Sequence, residues 1–112
     1  MNKIIEAFLD TTYSEPLTVD RKYFHSFNME QYYEISHKDD VIMNGIVHDK
    51  GEFKYIVWTV TYNTLFKIHK YVPTYENVIN QAVTKWVRRK CKSQGISFSN
   101  IINHSWKDEQ TY

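Results

Sequence analysis

The 112-residue chain holds one cysteine, Cys91, so no internal disulfide framework can form and packing alone must hold the fold, in keeping with a reducing compartment. Its three glycines, Gly45, Gly51 and Gly95, are too few for a glycine-rich phosphate loop, which argues against nucleotide cofactors. Apolar runs are short. The longest, Tyr55-Ile56-Val57-Trp58, falls far below the ~20 residues of a bilayer crossing. The segment Ile4-Ile5-Glu6-Ala7-Phe8-Leu9 is too short for a signal peptide and carries a carboxylate. An intracellular, cytoplasmic protein is therefore expected, with no membrane partner. An excess of one charge is also missing: the formal net charge is +1.

With 42% apolar and 24% charged residues, the chain reads as a single globular domain over 1–112, ending in a polar tail at 107–112. At this size it buries roughly two thirds of the surface of the unfolded chain, enough for one core. Eleven lysines against three arginines, eleven isoleucines and only two alanines fit AT-rich coding and suggest a low-GC bacterium or one of its phages. The near-zero total conceals an asymmetry. Residues 1–40 carry eight acids and four bases, residues 85–112 six bases and two acids, an acidic front and a basic back. They either neutralise each other or form separate patches.

Ile4, Ile5, Phe8 and Leu9 recur at helical spacing and predict a short N-terminal helix, closed before Pro16. From Asp20 onward, Tyr23, Phe24 and Phe27 fit one or two helical turns capped by Thr18 or Asp20, while Tyr32, Tyr33 and Ile35 equally suit a strand. Val41 to His48 and Phe53 to Tyr62 are β-branched and aromatic and flank Asp49-Lys50-Gly51-Glu52, which predicts a hairpin. Ile56, Trp58, Val60 and Tyr62 share its expected core face. Alternation over Leu65 to Val72, after an Asn63-Thr64 turn, predicts a third strand with Phe66, Ile68 and Val72 inward.

Past Pro73, Thr74 is the expected N-cap of the longest helix, which runs to Gln94 and stops at Gly95. Tyr75, Val78, Ile79, Ala82, Val83, Trp86 and Val87 form its apolar stripe. Ile96-Ser97-Phe98 suits an edge strand and Ser99 the cap of a short helix through Ile101 and Ile102. The expected fold is α+β: an antiparallel meander of three or more strands with this long helix on one face and the N-terminal helix nearby. The other face, assigned Tyr55, Val57, Lys67, His69 and Tyr71, is left to solvent, to the N-terminal region or to a partner, including a second copy in a homodimer.

Three chemistries compete. Lys85, Arg88, Arg89 and Lys92 share a helical arc able to meet several phosphates of a nucleic acid; as a solvated face, the same cations merely oppose the helix dipole. His37, Asp39, Asp40 and His48 have the residue types of a metal site, and a small metal-dependent hydrolase would need His37, Asp39 and His48 to converge. The absence of a second close ligand pair argues against bound metal. Cys91 lies between two lysines, yet a helix C-terminus disfavours a thiolate, so a small buried hydrophobe is expected rather than a nucleophile.

Aromatics are in excess. They make up 16% of the chain, and Tyr13, Tyr23, Tyr32 and Tyr33 lie among carboxylates, a combination suited to gripping a basic protein partner. The same tyrosines also suit cross-strand pairing without any partner. The expected function is that of a small, cytoplasmic, non-enzymatic binding protein without cofactor, acting on another macromolecule, most simply a protein, as an accessory or inhibitor of a phage or mobile element. Nucleic-acid binding through residues 85–92 is the alternative.

Overall fold

A computed structural model describes residues 2–23, 31–49, 51–52 and 54–96. The chain is α+β, in the order α1 (Asn2–Thr12), β1 (Thr18–Tyr23), β2 (Gln31–His37), β3 (Asp40–Asp49), β4 (Lys54–Val60), α2 (Tyr62–Tyr71) and α3 (Glu76–Ser93). The strands form an antiparallel sheet in sequence order β1-β2-β3-β4. The segment from Asp20 to Tyr23 is thus extended rather than helical, and Tyr32, Tyr33 and Ile35 are in a strand. Phe24 and Phe27, the expected features at 97–102 and the tail at 107–112 lie outside the described residues.

Register sorts the side chains. Val19, Ile35, Met43 and Val60 stand opposite one another across the four strands, as do Arg21, Tyr33, Gly45 and Trp58, and opposed residues share a face. This is the core face, where Ile35, Met43, Val60 and Ile56 are buried. Gly45 lies under the Trp58 ring: a Cβ there would meet Trp58 Cζ3 at 2.5 Å and Ile56 Cγ2 at 2.8 Å. A missing side chain at 45 is therefore what admits the indole.

Between Ile35 and Ser36 the register slips, because Ile35 opposes Met43 while Ser36 opposes Val41. Ile42 is the extra residue of a β-bulge. The bulge explains why neighbours Ile42 and Met43 are both fully buried, against the strict alternation of a regular strand. On its other side β3 keeps the β4 register, and one rung beyond Met43 and Val60 the Ile42 carbonyl accepts the Thr61 amide at 2.9 Å.

Thr61 then starts a helix where alternation predicted a strand. Its Oγ1 accepts the Thr64 amide, at 3.4 Å, and donates to the Val41 carbonyl at 2.8 Å, so the N-cap of α2 is pinned to the sheet. The Asn63-Thr64 pair is the first turn of α2, not a hairpin. Leu65, Ile68 and Val72 also fit spacings of three and four, and Thr64, Ile68 and Val72 are buried, so helical packing against α3 and β3 outweighs the period-two reading.

α1 and α3 pack against each other, and α3 meets β4. Ile5 and Leu9 from α1 join Ile79, Val83, Trp86, Val87 and Cys91 from α3 in the core, each large apolar side chain contributing roughly 1.5–3 kcal/mol on burial. α3 begins later than expected. Tyr75, not Thr74, occupies the N-cap and makes no side-chain cap bond. Its end follows the sequence: Gly95 takes φ +83°, with Ile96 N–H bonded to Cys91 O and Gly95 N–H to Lys92 O, a Schellman stop. Among the described residues all three helices pack on the core side, so α1 does not cover the opposite face. That face carries Tyr55 and Val57, while Lys67, His69 and Tyr71 belong to α2.

Candidate protein-docking groove

α2 has two faces with different fates. Thr64, Leu65 and Ile68 turn inward; Tyr62, Phe66, His69 and Lys70 fall within about 100° of each other on the outer side. Tyr62 is 80% exposed and Phe66 70%. Tyr75 joins them from the N-cap of α3 at 79% exposure. These three aromatics were expected in the core. The core excludes them because the Thr61 cap directs Thr64 and Ile68 inward and so places residues 62 and 66 on the opposite side of the helix.

Together they rim an open groove of about 410 Å³ between α2 and the start of α3, floored by Leu65 and Ile79. His69 and Glu76 line it beside the phenols of Tyr62 and Tyr75. Three large aromatics at such exposure thus lie beside one another along the groove. Chemically the groove offers flat rings and an apolar floor. The signal available in the sequence was the spacing of Tyr62, Phe66 and His69, a second helical stripe beside the one completed by Leu65, Ile68 and Val72.

The four tyrosines chosen from the sequence separate. Tyr13 is 1% exposed, its ring edge-on to His37 at 5.3 Å, and Tyr33 is 4% exposed with its hydroxyl accepting Arg21 Nε at 3.1 Å. Neither presents a surface to a partner. Tyr32 is half-buried on the opposite sheet face, and Tyr23 ends β1, its side chain lying outside the description.

The acidic front meets the basic back. Arg89 of α3 pairs with Glu6 of α1, and Trp86 Nε1 donates to Asp10 Oδ1 at 2.7 Å. Lys90 donates to the Tyr13 carbonyl and sits 5.1 Å over the Trp86 ring. Of the proposed phosphate-binding arc, Lys85 and Lys92 are exposed, Arg88 is half-buried and Arg89 is paired. The polar cleft beside them, about 570 Å³, is lined by both signs of charge, Glu6 and Asp10 against Arg89 and Lys90.

His37, Asp39 and His48 do not converge. His37 opposes Asp40 at the start of β3, and His48 stands near its far end, roughly 25 Å away by strand rise. His37 is buried, its Nε2 accepting the Glu15 amide at 3.2 Å, and His48 stacks on Tyr55 at 5.1 Å. Among the described residues no group of three or more His, Cys, Asp or Glu side chains is placed to hold a metal ion. Asp40 serves as a junction: Lys67 pairs with it, Asn63 Nδ2 donates to it at 3.1 Å, and the Tyr13 hydroxyl lies at 3.5 Å. The hydrogen bond to Asp40 raises the Lys67 pKa, and burial raises that of Tyr13. Cys91 is fully buried, and desolvation pushes its thiol from 9.0 up to about 11, so it stays protonated and packs as a small hydrophobe.

No described helix is long and apolar enough to cross a membrane. Comparison with family models, with curated proteins and with solved structures finds no match to this chain.

Proposed function

We propose that the chain is a small cytoplasmic binding protein without enzymatic activity, acting on another macromolecule as an accessory or inhibitor in a phage or mobile element, with the α2–α3 groove as its docking surface. One observation carries the reading: Tyr62, Phe66 and Tyr75 stand 70–80% exposed around an apolar floor. Rigid aromatics of this kind dominate binding energy where proteins meet. A protein partner is favoured over nucleic acid because the groove has no cationic lining apart from His69, whereas the basic arc of α3 is partly neutralised by Glu6.

The test uses the full chain as bait in lysate of the native host, with half of each sample treated with nuclease. The expected result is a protein retained in both halves, with retention falling about tenfold or more for Phe66→Ser combined with Tyr75→Ser. Retention that disappears with nuclease and is insensitive to the groove substitutions, but is lost on reversing charge at Lys85 and Lys92, overturns the reading in favour of nucleic-acid binding.

A further inference from the structure

We infer that the linker from α1 to β1 is an acid-released strap, latched by His37, which lets go of residues 14–16 when its imidazole gains a proton.

Side chains from α3 and β2 hold this linker, in which Pro16 has no N–H to offer. Lys90 donates to the Tyr13 carbonyl at one end. At the other, the Gln94 side chain closes on both polar atoms of the Leu17 backbone, its Oε1 accepting the N–H at 2.9 Å and its Nε2 donating to the carbonyl at 2.8 Å. Between these clamps His37 Nε2 accepts the Glu15 N–H at 3.2 Å.

Of the three clamps, only the middle one responds near neutral pH. Lysine and primary amide side chains keep their state there, whereas histidine changes charge. A neutral imidazole accepts at Nε2 only while its proton sits on Nδ1; an imidazolium donates from both nitrogens and accepts at neither. A proton on His37 therefore sets two donors, Nε2–H and the Glu15 N–H, against each other. His37 is buried and edge-on to Tyr13 at 5.3 Å, whereas Ser14, Glu15 and Pro16 are exposed, so the linker is the side that yields.

The charged surroundings do not supply a substitute bond. Asp40 stands opposite His37 across β2 and β3, but its carboxylate already accepts Lys67 and Asn63. Lys38 and Asp39 are exposed in the β2–β3 turn, Glu15 carries an exposed carboxylate, Tyr13 presents its ring, and from α3 Lys90 is held at the Tyr13 carbonyl. This set is mixed in sign, so the switch works through hydrogen bonding rather than through net charge. Ser14 lines the polar cleft of about 570 Å³ with Asp10, Trp86 and Lys90, and release of residues 14–16 withdraws that wall.

The experiment is an NMR titration of the isotope-labelled full chain from about pH 8 to about pH 5, following the histidine rings and, by hydrogen exchange, individual backbone amides. At the alkaline end His37 should carry its proton on Nδ1. As the ring protonates, the protection factor of the Glu15 amide should fall about fivefold to tenfold with the same midpoint, the loss of one hydrogen bond. The Leu17 amide, held by Gln94, and the Ile35 amide, in the middle of the sheet, should keep theirs. His37→Gln supplies a carbonyl oxygen that accepts at any pH and should hold Glu15 protection constant across the titration. Glu15 protection that is unchanged while the ring titrates overturns the strap, as does a ring that stays neutral throughout. So does a joint loss of protection at Glu15, Leu17 and Ile35, which is global unfolding. Should His37→Gln fail to fold, the wild-type titration decides alone.

Discussion

The Thr61 amide donates to the Ile42 carbonyl at 2.9 Å, joining the bulge in β3 to the cap of α2. This bond places α2, and with it the groove that α2 forms with the start of α3. The bond adds one rung to the β3–β4 register beyond Met43 and Val60, and the hydroxyl of the same residue accepts the Thr64 amide. Thr61→Val keeps the shape and removes the hydroxyl. Stability should fall by about 1–2 kcal/mol, read as a lower urea midpoint at unchanged m-value.

The contrast between α2 and α3 shows where the sequence speaks. α3 announces itself because Ile79, Ala82, Val83, Trp86 and Val87 repeat at helical spacing over eighteen residues, too long for a strand. The β3–β4 hairpin is legible for the converse reason: β-branched runs flank a turn containing Gly51. α2 has ten residues, and Leu65 to Val72 satisfies both periods. What decides between them is packing, with Thr64, Ile68 and Val72 buried against α3 and β3, partners that no local pattern reveals.

The groove was hidden by the same ambiguity. Tyr62, Phe66 and Tyr75 are the residue types of a core, and pattern alone places each inward. Core and interface use the same side chains, so only the observed orientation of α2 separates them. Conversely, Tyr13 and Tyr33 lie among charged neighbours in the sequence and still pack inside.

Gly45→Ala should cost about 1–3 kcal/mol by overpacking against Trp58 and Ile56, although alanine ordinarily favours folding through the unfolded chain. Combining it with Trp58→Leu should recover part of the loss, because the leucine side chain vacates the space a Cβ would enter. A double-mutant cycle by urea unfolding should give a coupling on the order of 1 kcal/mol; additive losses would mean that the indole does not set the requirement for glycine.

Lys38 takes φ +55° in the tight turn between β2 and β3. A non-glycine side chain there costs about 1–2 kcal/mol, and glycine removes that strain while adding unfolded-state entropy. Lys38→Gly should therefore raise the melting temperature by a few degrees, a net gain of roughly 0.5–1 kcal/mol.

Alkaline pH should unfold the protein in part through Cys91. Its thiol titrates at about 11 when folded and at 9.0 in the reference state, so the folded chain holds a proton that the unfolded chain releases first. The associated stability, roughly 2–3 kcal/mol, is complete below pH 9 and is lost as pH rises to about 11. Tyr13 and Lys67, both raised, act in the same direction above pH 10. Cys91→Ala should flatten the decline in urea midpoint between pH 9 and 11, whatever its effect at neutral pH.

The central claim is that the outer face of α2 is gripped by protein. Photocrosslinking from position 66 tests it most directly, with Phe66 replaced by a benzophenone-bearing phenylalanine in the full chain and irradiated in nuclease-treated host lysate. A discrete protein adduct should form from position 66 and not from the same group at position 81 on exposed α3. Equal, diffuse labelling from both positions would contradict the account.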